Sequence, residues 1–338
     1  MNIKQRNNQY LIPFSNVKIT RGATRSVIHD LFRETIAHVP NDLVDLLQNE
    51  FKNHQISKVV NYYNDQKQVI MEYINFLINN DYCFYGSKEI LDCMDMPHDD
   101  FKLNSVNIEN SIIELSRNSE YNLQDLLHQL DELNCLNIEF RFLDGDSFLK
   151  YFTIIRESIS SSSLESMIFI VPFFPELKNF LETSEKMPKL FKMIVYNTDV
   201  GFDALNYNIF FSSQNQIVST LCGTVNTSMF IPTKEVYHHI TESKTCLHSK
   251  VSVTDSGNIV NCPTSSKVHG RMDSDSILSI VDKVSFQKNW YLNRSKVSDC
   301  KICEYRNVCW ICQSDENTIN VNKKPVKCNY IPETGKWL

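Results

Sequence analysis

The stretch Ser111-Ile112-Ile113-Glu114-Leu115-Ser116 begins a repeated pattern that decides the fold class of this 338-residue chain. It predicts a buried strand, residues 123–133 predict a helix, and the alternating residues 136–142 predict a second strand. Further strands are predicted at 167–173, 191–196 and 208–212, and helices at 148–159 and 175–183. Such alternation is typical of parallel βα units, so we expect an α/β fold with a partial (β/α) barrel over residues 105–240 and a site at the carboxyl ends of its strands.

Cysteines near the end of the chain indicate a metal site. Seven of the eleven cysteines follow residue 245, and two pairs within them are separated by only two residues, which lets a turn aim both sulfurs at one ion or cluster. The seven are Cys246, Cys262, Cys300, Cys303, Cys309, Cys312 and Cys328. Four thiolates in close pairs suit zinc and iron-sulfur clusters alike, so the spacing leaves both open. Cys83, Cys93 and Cys135 stand alone and are expected to be small buried apolar residues.

Composition excludes several classes of protein. The net charge of -6 and the lack of a basic stripe with interleaved aromatics argue against a nucleic-acid partner. No apolar run approaches the roughly 20 residues of a membrane span, and the first residues, MNIKQRNNQY, lack the apolar core of a signal peptide. We therefore expect a cytoplasmic protein with no membrane partner, where reducing conditions keep thiols available for metal.

Residues 1–90 are predicted to form a separate small domain. A strand-like stretch at 10–20 leads into Ser26 to His38, where an apolar stripe at helical spacing predicts an amphipathic helix. Asn41 is predicted to cap a second helix, a third is expected at 68–78, and residues 82–85 predict a strand. Helices followed by short strands are typical of a winged-helix unit. The acidic balance disfavours DNA binding, which leaves peptide recognition by β-augmentation or a purely structural cap.

Other motifs add little chemistry. His238 and His239 follow Thr233 on a predicted helix, where neighbouring positions point about 100° apart, so joint metal ligation is not expected. The chain has only eight glycines and neither a Walker loop nor a Gly-x-Gly-x-x-Gly motif, so direct use of ATP is not expected.

The order of cysteines resembles the SPASM domain found at the end of radical-SAM enzymes that modify peptides. The resemblance rests on Gly257, five residues before Cys262, on the four-cysteine run and on the distal Cys328, and covers residues 241–338. It implies two [4Fe-4S] clusters, one held by Cys300, Cys303, Cys309 and Cys328, the other by Cys246, Cys262 and Cys312. The family usually has three residues before the last cysteine of the run, whereas here only two precede Cys312. Cys222, His248 or an open iron site could complete the second cluster, and zinc stays an alternative.

The barrel lacks the cysteines of a radical-SAM enzyme. That family places Cys-x3-Cys-x2-Cys after the first strand, but residues 117–122 here read Arg-Asn-Ser-Glu-Tyr-Asn. After the second strand, Leu143-Asp144-Gly145-Asp146 is similar to the family's Gly-Gly-Glu-Pro stretch, which binds the methionine part of S-adenosylmethionine. Without the three thiolates we expect neither S-adenosylmethionine binding nor radical chemistry.

Three stretches together resemble the SPASM-domain peptide maturase of grasp-with-spasm systems: residues 17–31, the cysteine run at 300–312 and the tail at 328–337. The resemblance implies two partners, an ATP-grasp ligase and a ribosomally made precursor peptide. Three hypotheses follow: an accessory protein that binds the precursor and assists the ligase, an iron-sulfur enzyme that modifies the peptide by redox or Lewis-acid chemistry, or a zinc-stapled scaffold.

Overall fold

In a computed structural model, the structure describes residues 8–94, 108–199, 201–202, 207–214, 225–242, 244–291, 297–310, 324 and 328–338. The N-terminal part contains strands β1 (Tyr10–Pro13), β2 (Val17–Arg21), β3 (Ser26–Asp30) and β4 (Thr35–Val39), helix α1 (Asn41–Asp45) with a π-helical turn (Leu46–Phe51), α2 (Ile56–Tyr62), a 3-10 turn (Asn64–Gln66), α3 (Lys67–Asn79), β5 (Cys83–Gly86) and α4 (Lys88–Met94).

The N-terminal strands form two small antiparallel sheets, β2-β3-β4 and β1-β5. Helices α1 to α3 cover them, and a core of sixteen buried apolar residues that includes Leu11, Ile28 and Phe51 lies between. The predicted third helix and the strand at 82–85 are confirmed as α3 and β5. The winged-helix assignment stays a prediction.

The predicted helix from Ser26 to His38 is wrong, because this segment forms β3, a turn and β4. All five residues of β3 are buried, so both faces of the strand are covered, and the apolar Val27 and Ile28 follow each other without the alternation of a half-exposed strand. Glu34, with φ of 57°, turns the chain between the strands. The predicted cap is also wrong: Pro40 occupies the N-cap position, and Asn41 accepts a 2.6 Å hydrogen bond from Ser26.

The remaining elements build the large sheet and the end of the chain. They are β6 (Asn110–Leu115), α5 (Leu123–Glu132), β7 (Asn137–Phe142), α6 (Gly145–Ile159), β8 (Ser166–Pro172), α7 (Leu177–Thr183), β9 (Leu190–Tyr196), β10 (Ile209–Ser212), a 3-10 turn (Thr227–Met229), α8 (Lys234–Thr241), β11 (Lys250–Val253), β12 (Asn258–Val260), β13 (Gly270–Arg271), α9 (Ile277–Val281), α10 (Val284–Gln287), β14 (Tyr330–Ile331) and β15 (Lys336–Trp337). The strands and helices predicted between 111 and 212 are confirmed, with shifted bounds.

Eight strands lie in one sheet in the order β10-β9-β8-β7-β6-β11-β12-β13. The pairs from β10 to β11 are parallel, and β12 and β13 are antiparallel, which confirms the α/β class. One face is apolar: Phe142 and Phe169 meet the ring of Phe148 on α6 at centroid distances of 5.1 and 6.2 Å. None of the helices in the described ranges has the length and apolar character needed to cross a membrane.

Candidate cysteine-rich metal centre

The cysteine run lies in a chain of tight turns. Cys303 donates its backbone N–H to the carbonyl of Cys300 at 3.1 Å, and Val308 donates to Tyr305 at 3.0 Å. Cys328 pairs with Val225 through an isolated parallel bridge. Cys303, Cys309 and Cys328 all pack against one apolar cluster, the tail cluster, which consists of Val27, Val225, Phe230, Tyr305, Val308 and Tyr330. The structure therefore brings three of the four cysteines of the first predicted set to one apolar patch.

The thiols of this set influence one another. Burial raises the pKa of Cys303, and the nearby charges of Glu304, Cys309 and Cys300 raise it further, although the backbone N–H of Tyr305 lowers it. A bound cation reverses such a shift, because thiolates are its preferred ligands. The donor set therefore fits a thiolate-bound metal or cluster. The side chains do not form a coordination shell as they stand, since no group of three or more His, Cys, Asp or Glu among the described residues is placed to hold an ion.

The second predicted set surrounds a hairpin. Cys246 precedes β11 and Cys262 follows β12, and both pack in the core of the large sheet. Gly257 lies in the turn between these strands with φ of 79°, a conformation that favours glycine. Cys312 and Cys222 lie outside the described residues. The cluster assignments of both sets stay predictions. Among the solitary cysteines, Cys83 and Cys135 are buried as predicted, but Cys93 is exposed, so that prediction was wrong.

The N-terminal β2–β3 turn docks onto the cysteine run. The N–H of Ala23 donates to the carbonyl of Ile302 at 2.8 Å, and Arg306 donates to the carbonyl of Arg21 at 2.6 Å. Thr24 donates to the carbonyl of Glu333 in the tail at 2.8 Å. The three stretches on which the family resemblance rests therefore meet in one region, which we call the junction.

A buried ion pair lies at the centre of the junction. Arg25 Nε donates to Glu304 Oε1 at 2.8 Å, and the Glu304 side chain is only 1% exposed. The hydroxyl of Tyr330 donates to the same oxygen, and Arg25 also donates to Tyr305 at 3.1 Å. Burial alone would lower the pKa of Arg25, but Glu304 and the two tyrosines raise it overall. The guanidinium thus stays charged and holds Glu304, which is next to Cys303 in sequence.

A buried histidine borders the same junction. His29 lies 2.9 Å from the hydroxyl of Thr20, which also accepts from Asn307 at 2.9 Å. Its ring packs on Tyr237 of the 225–242 segment at 5.7 Å. Burial lowers the pKa of His29 to about 3, and the charge of Arg306 contributes to the shift. This imidazole is therefore neutral near pH 7.

The loop after β6, where radical-SAM enzymes carry their cysteines, borders a cavity of about 660 Å³. The hydroxyl of Tyr151 holds the loop by donating to the carbonyl of Ser119 at 2.8 Å. Asp144, in the stretch similar to Gly-Gly-Glu-Pro, accepts from Ser147 N at 2.7 Å as the N-cap of α6 and from Arg117 N at 2.9 Å. Both oxygens of this carboxylate thus have structural partners.

A second cavity, of about 590 Å³, lies at the amino ends of the parallel strands and is called the amino-end cavity. We expected a site at the carboxyl ends, so sequence reasoning missed this one. Its wall includes Cys246 and His248. It also includes His239, which lies on the predicted helix that is confirmed as α8. The sequence feature that could have pointed to this cavity is the asparagine or serine at the first position of β6, β7 and β8. Polar residues at strand starts are common, so that signal alone predicts no ligand.

No protein-family model matches this chain, and no curated protein matches it at a significant level. The grasp-with-spasm resemblance therefore continues to rest on the motif residues alone.

Proposed function

We propose that this chain is a cytoplasmic peptide-maturation protein that binds a ribosomally made precursor and assists its modification by a partner ATP-grasp ligase. The observation that carries the proposal is the junction, where residues 17–31, the cysteine run and the tail make direct contact. Because the three motifs form one contact region, they support the proposal as a single structural unit and not as three separate sequence matches. Cys300, Cys303, Cys309 and Cys328 would hold one [4Fe-4S] cluster, and Cys246, Cys262 and Cys312 the other.

Metal binding would stabilise the junction and could supply electron transfer or Lewis acidity. The protein's own residues supply the rest: the tight turns present the thiols, and Arg25 with Glu304 fixes the run against the N-terminal sheet. Anaerobic purification followed by iron, sulfide and zinc analysis tests this part. A content of two zinc atoms per chain without sulfide would contradict the iron-sulfur assignment and favour the zinc-stapled scaffold.

Precursor binding is assigned to the edge of β4. This strand pairs with β3 on one side, and no other described strand pairs with it. A peptide that adds a strand there would gain main-chain hydrogen bonds. The test is hydrogen exchange of the protein with and without a candidate precursor peptide. The amides among residues 35–39 that point away from β3 should gain protection, while those of the inner strand β7 do not change. Protection that leaves 35–39 unchanged would refute this assignment.

The accessory role is tested separately with the ligase. The ligase, ATP and precursor are combined with and without this chain, and product is followed by mass spectrometry. The proposal expects product formation to rise by at least about tenfold when the chain is present. Equal rates would exclude the accessory role.

The amino-end cavity favours a second candidate, an iron-sulfur enzyme that acts on the peptide itself, because Cys246 lies in the wall of a cavity that also carries several polar side chains. A mass change in the precursor produced by this chain and a redox partner, with no ligase present, would support it. When S-adenosylmethionine is added to the same reaction, release of 5'-deoxyadenosine in step with that change would instead reveal radical-SAM chemistry, contrary to our expectation.

A further inference from the structure

The floor of the amino-end cavity carries a row of polar side chains. Lys250, Asn110, Asn137 and Ser166 are the first residues of β11, β6, β7 and β8, and the strand registers pair them directly with one another. All four line the cavity. Asn137 accepts a hydrogen bond from Ser166 at 2.7 Å, which orients that amide. Adjacent strands thus present amide, hydroxyl and ammonium groups in one line.

Two imidazoles line the same cavity. His239 Nε2 and His248 Nδ1 are both buried atoms without a hydrogen-bond partner. His248 uses its other nitrogen, 3.1 Å from the hydroxyl of Tyr291. The Trp310 ring lies edge-on to His239 at 6.1 Å. Buried polar atoms without partners are rare in proteins, so these two imidazoles add to the polar character of this end of the cavity, beside the row of amides.

The charges on the cavity wall favour an uncharged ligand. Glu139 is paired with Arg141, whose Nε lies 2.5 Å from its carboxylate and whose guanidinium also lies 3.6 Å from Glu114. Lys250 and Glu109 carry opposite charges on the wall. A charged side chain would therefore meet a wall group of its own sign as well as one of the opposite sign, whereas a hydroxyl or carboxamide can donate to and accept from the amides and the Ser166 hydroxyl.

We propose that the amino-end cavity binds a hydroxyl- or carboxamide-bearing side chain of a peptide and presents it beside Cys246. This inference rests on the proposed function, because it takes the peptide to be the substrate that the protein handles. It adds the chemical class of the residue and a second contact with the peptide, separate from the edge of β4.

The test uses the anaerobically purified full chain and four blocked tripeptides, acetyl-Ala-X-Ala-amide with X as threonine, valine, asparagine or aspartate. Binding is measured by saturation-transfer NMR titration. Threonine and valine have nearly the same shape, so a site that hydrogen-bonds a hydroxyl should bind the threonine peptide at least about tenfold more tightly. The asparagine peptide should likewise bind more tightly than the aspartate peptide. Equal affinity for threonine and valine, or preference for aspartate, would overturn the proposal.

Two variants locate the site. Asn110→Ala should weaken binding of the threonine and asparagine peptides by about tenfold, because it removes one of the amides in the row. Asn208→Ala is the matched control, since Asn208 precedes the parallel strand β10 of the same sheet but does not line the cavity. An Asn110→Ala protein with unchanged affinity would overturn the assignment. The tripeptide selectivity needs neither the precursor nor the ligase, so its failure is distinguishable from failure of the proposed function.

Discussion

The large sheet and the junction are stabilised in different ways. The sheet has an apolar face packed by phenylalanine rings, such as Phe148 and Phe169, so its stability is shared among many similar contacts. The junction depends on a few polar contacts, above all Arg25 with the buried Glu304. Removing one partner there leaves a buried charge, which costs more than losing one contact among many. A single substitution in the sheet core should therefore lower the free energy of unfolding only in proportion to the contacts it removes. A single substitution at the junction should cause a larger loss.

The largest expected difference between the two regions concerns metal. Cys303→Ser should remove metal from the first thiol set, because structural thiolate sites contribute about 10–16 kcal/mol in zinc peptides and depend on each ligand. Cys135→Ser is the matched control: this thiol is buried in the sheet core, and burial raises its pKa to about 12. Iron, sulfide and zinc per chain are the measurement. If the Cys303→Ser protein kept its full metal content, the assignment of a metal centre to the junction would be refuted.

The next effect is on the ion pair. Arg25→Leu should destabilise the protein by about 3–5 kcal/mol, because the buried Glu304 carboxylate loses its cationic partner and keeps only the Tyr330 hydroxyl. Arg21→Leu, which removes the solvent-exposed pair with Asp45, should cost no more than about 1 kcal/mol. Chemical denaturation measures both. Equal small losses would show that the junction is no more sensitive than the surface.

Acid should weaken the junction through His29. The pKa of this imidazole is lowered to about 3 in the folded protein, so below the unfolded value of about 6.5 the unfolded chain binds the proton more readily. The contribution of His29 is complete above that value and is lost as the pH falls towards 3. Between pH 7 and pH 5, the wild type should lose about 2 kcal/mol more stability than His29→Gln. Parallel pH profiles for the two proteins would contradict this.

The smallest effect concerns the turn between β3 and β4. Glu34 has φ of 57°, so Glu34→Gly should stabilise the protein by about 1 kcal/mol. In the helix that the sequence pattern predicts for this segment, the same change would destabilise by about the same amount. Glu157→Gly, on an exposed position of α6, is the helical control and should destabilise. Thermal unfolding of the three proteins gives the sign.

Local sequence was enough for the sheet but not for the junction. The strands between 110 and 196 have apolar runs bounded by polar residues and alternate with amphipathic helices, so short windows predict them. The segment at 26–39 misled because its apolar residues fit helical spacing, and only packing on both faces makes β3 a strand. The contact between Arg25 and Glu304 joins residues 279 apart, and no local pattern predicts such a pair.

The position of β11 has a practical consequence for cutting the chain. This strand follows Cys246 and pairs with β6, the first strand of the parallel set, so the sheet continues across residue 240. A fragment that stops there would leave β6 with an uncovered edge, and such edges pair with other chains. Grafting residues 241–338 onto another parallel sheet would therefore require a matching strand position for β11 as well as the cysteines.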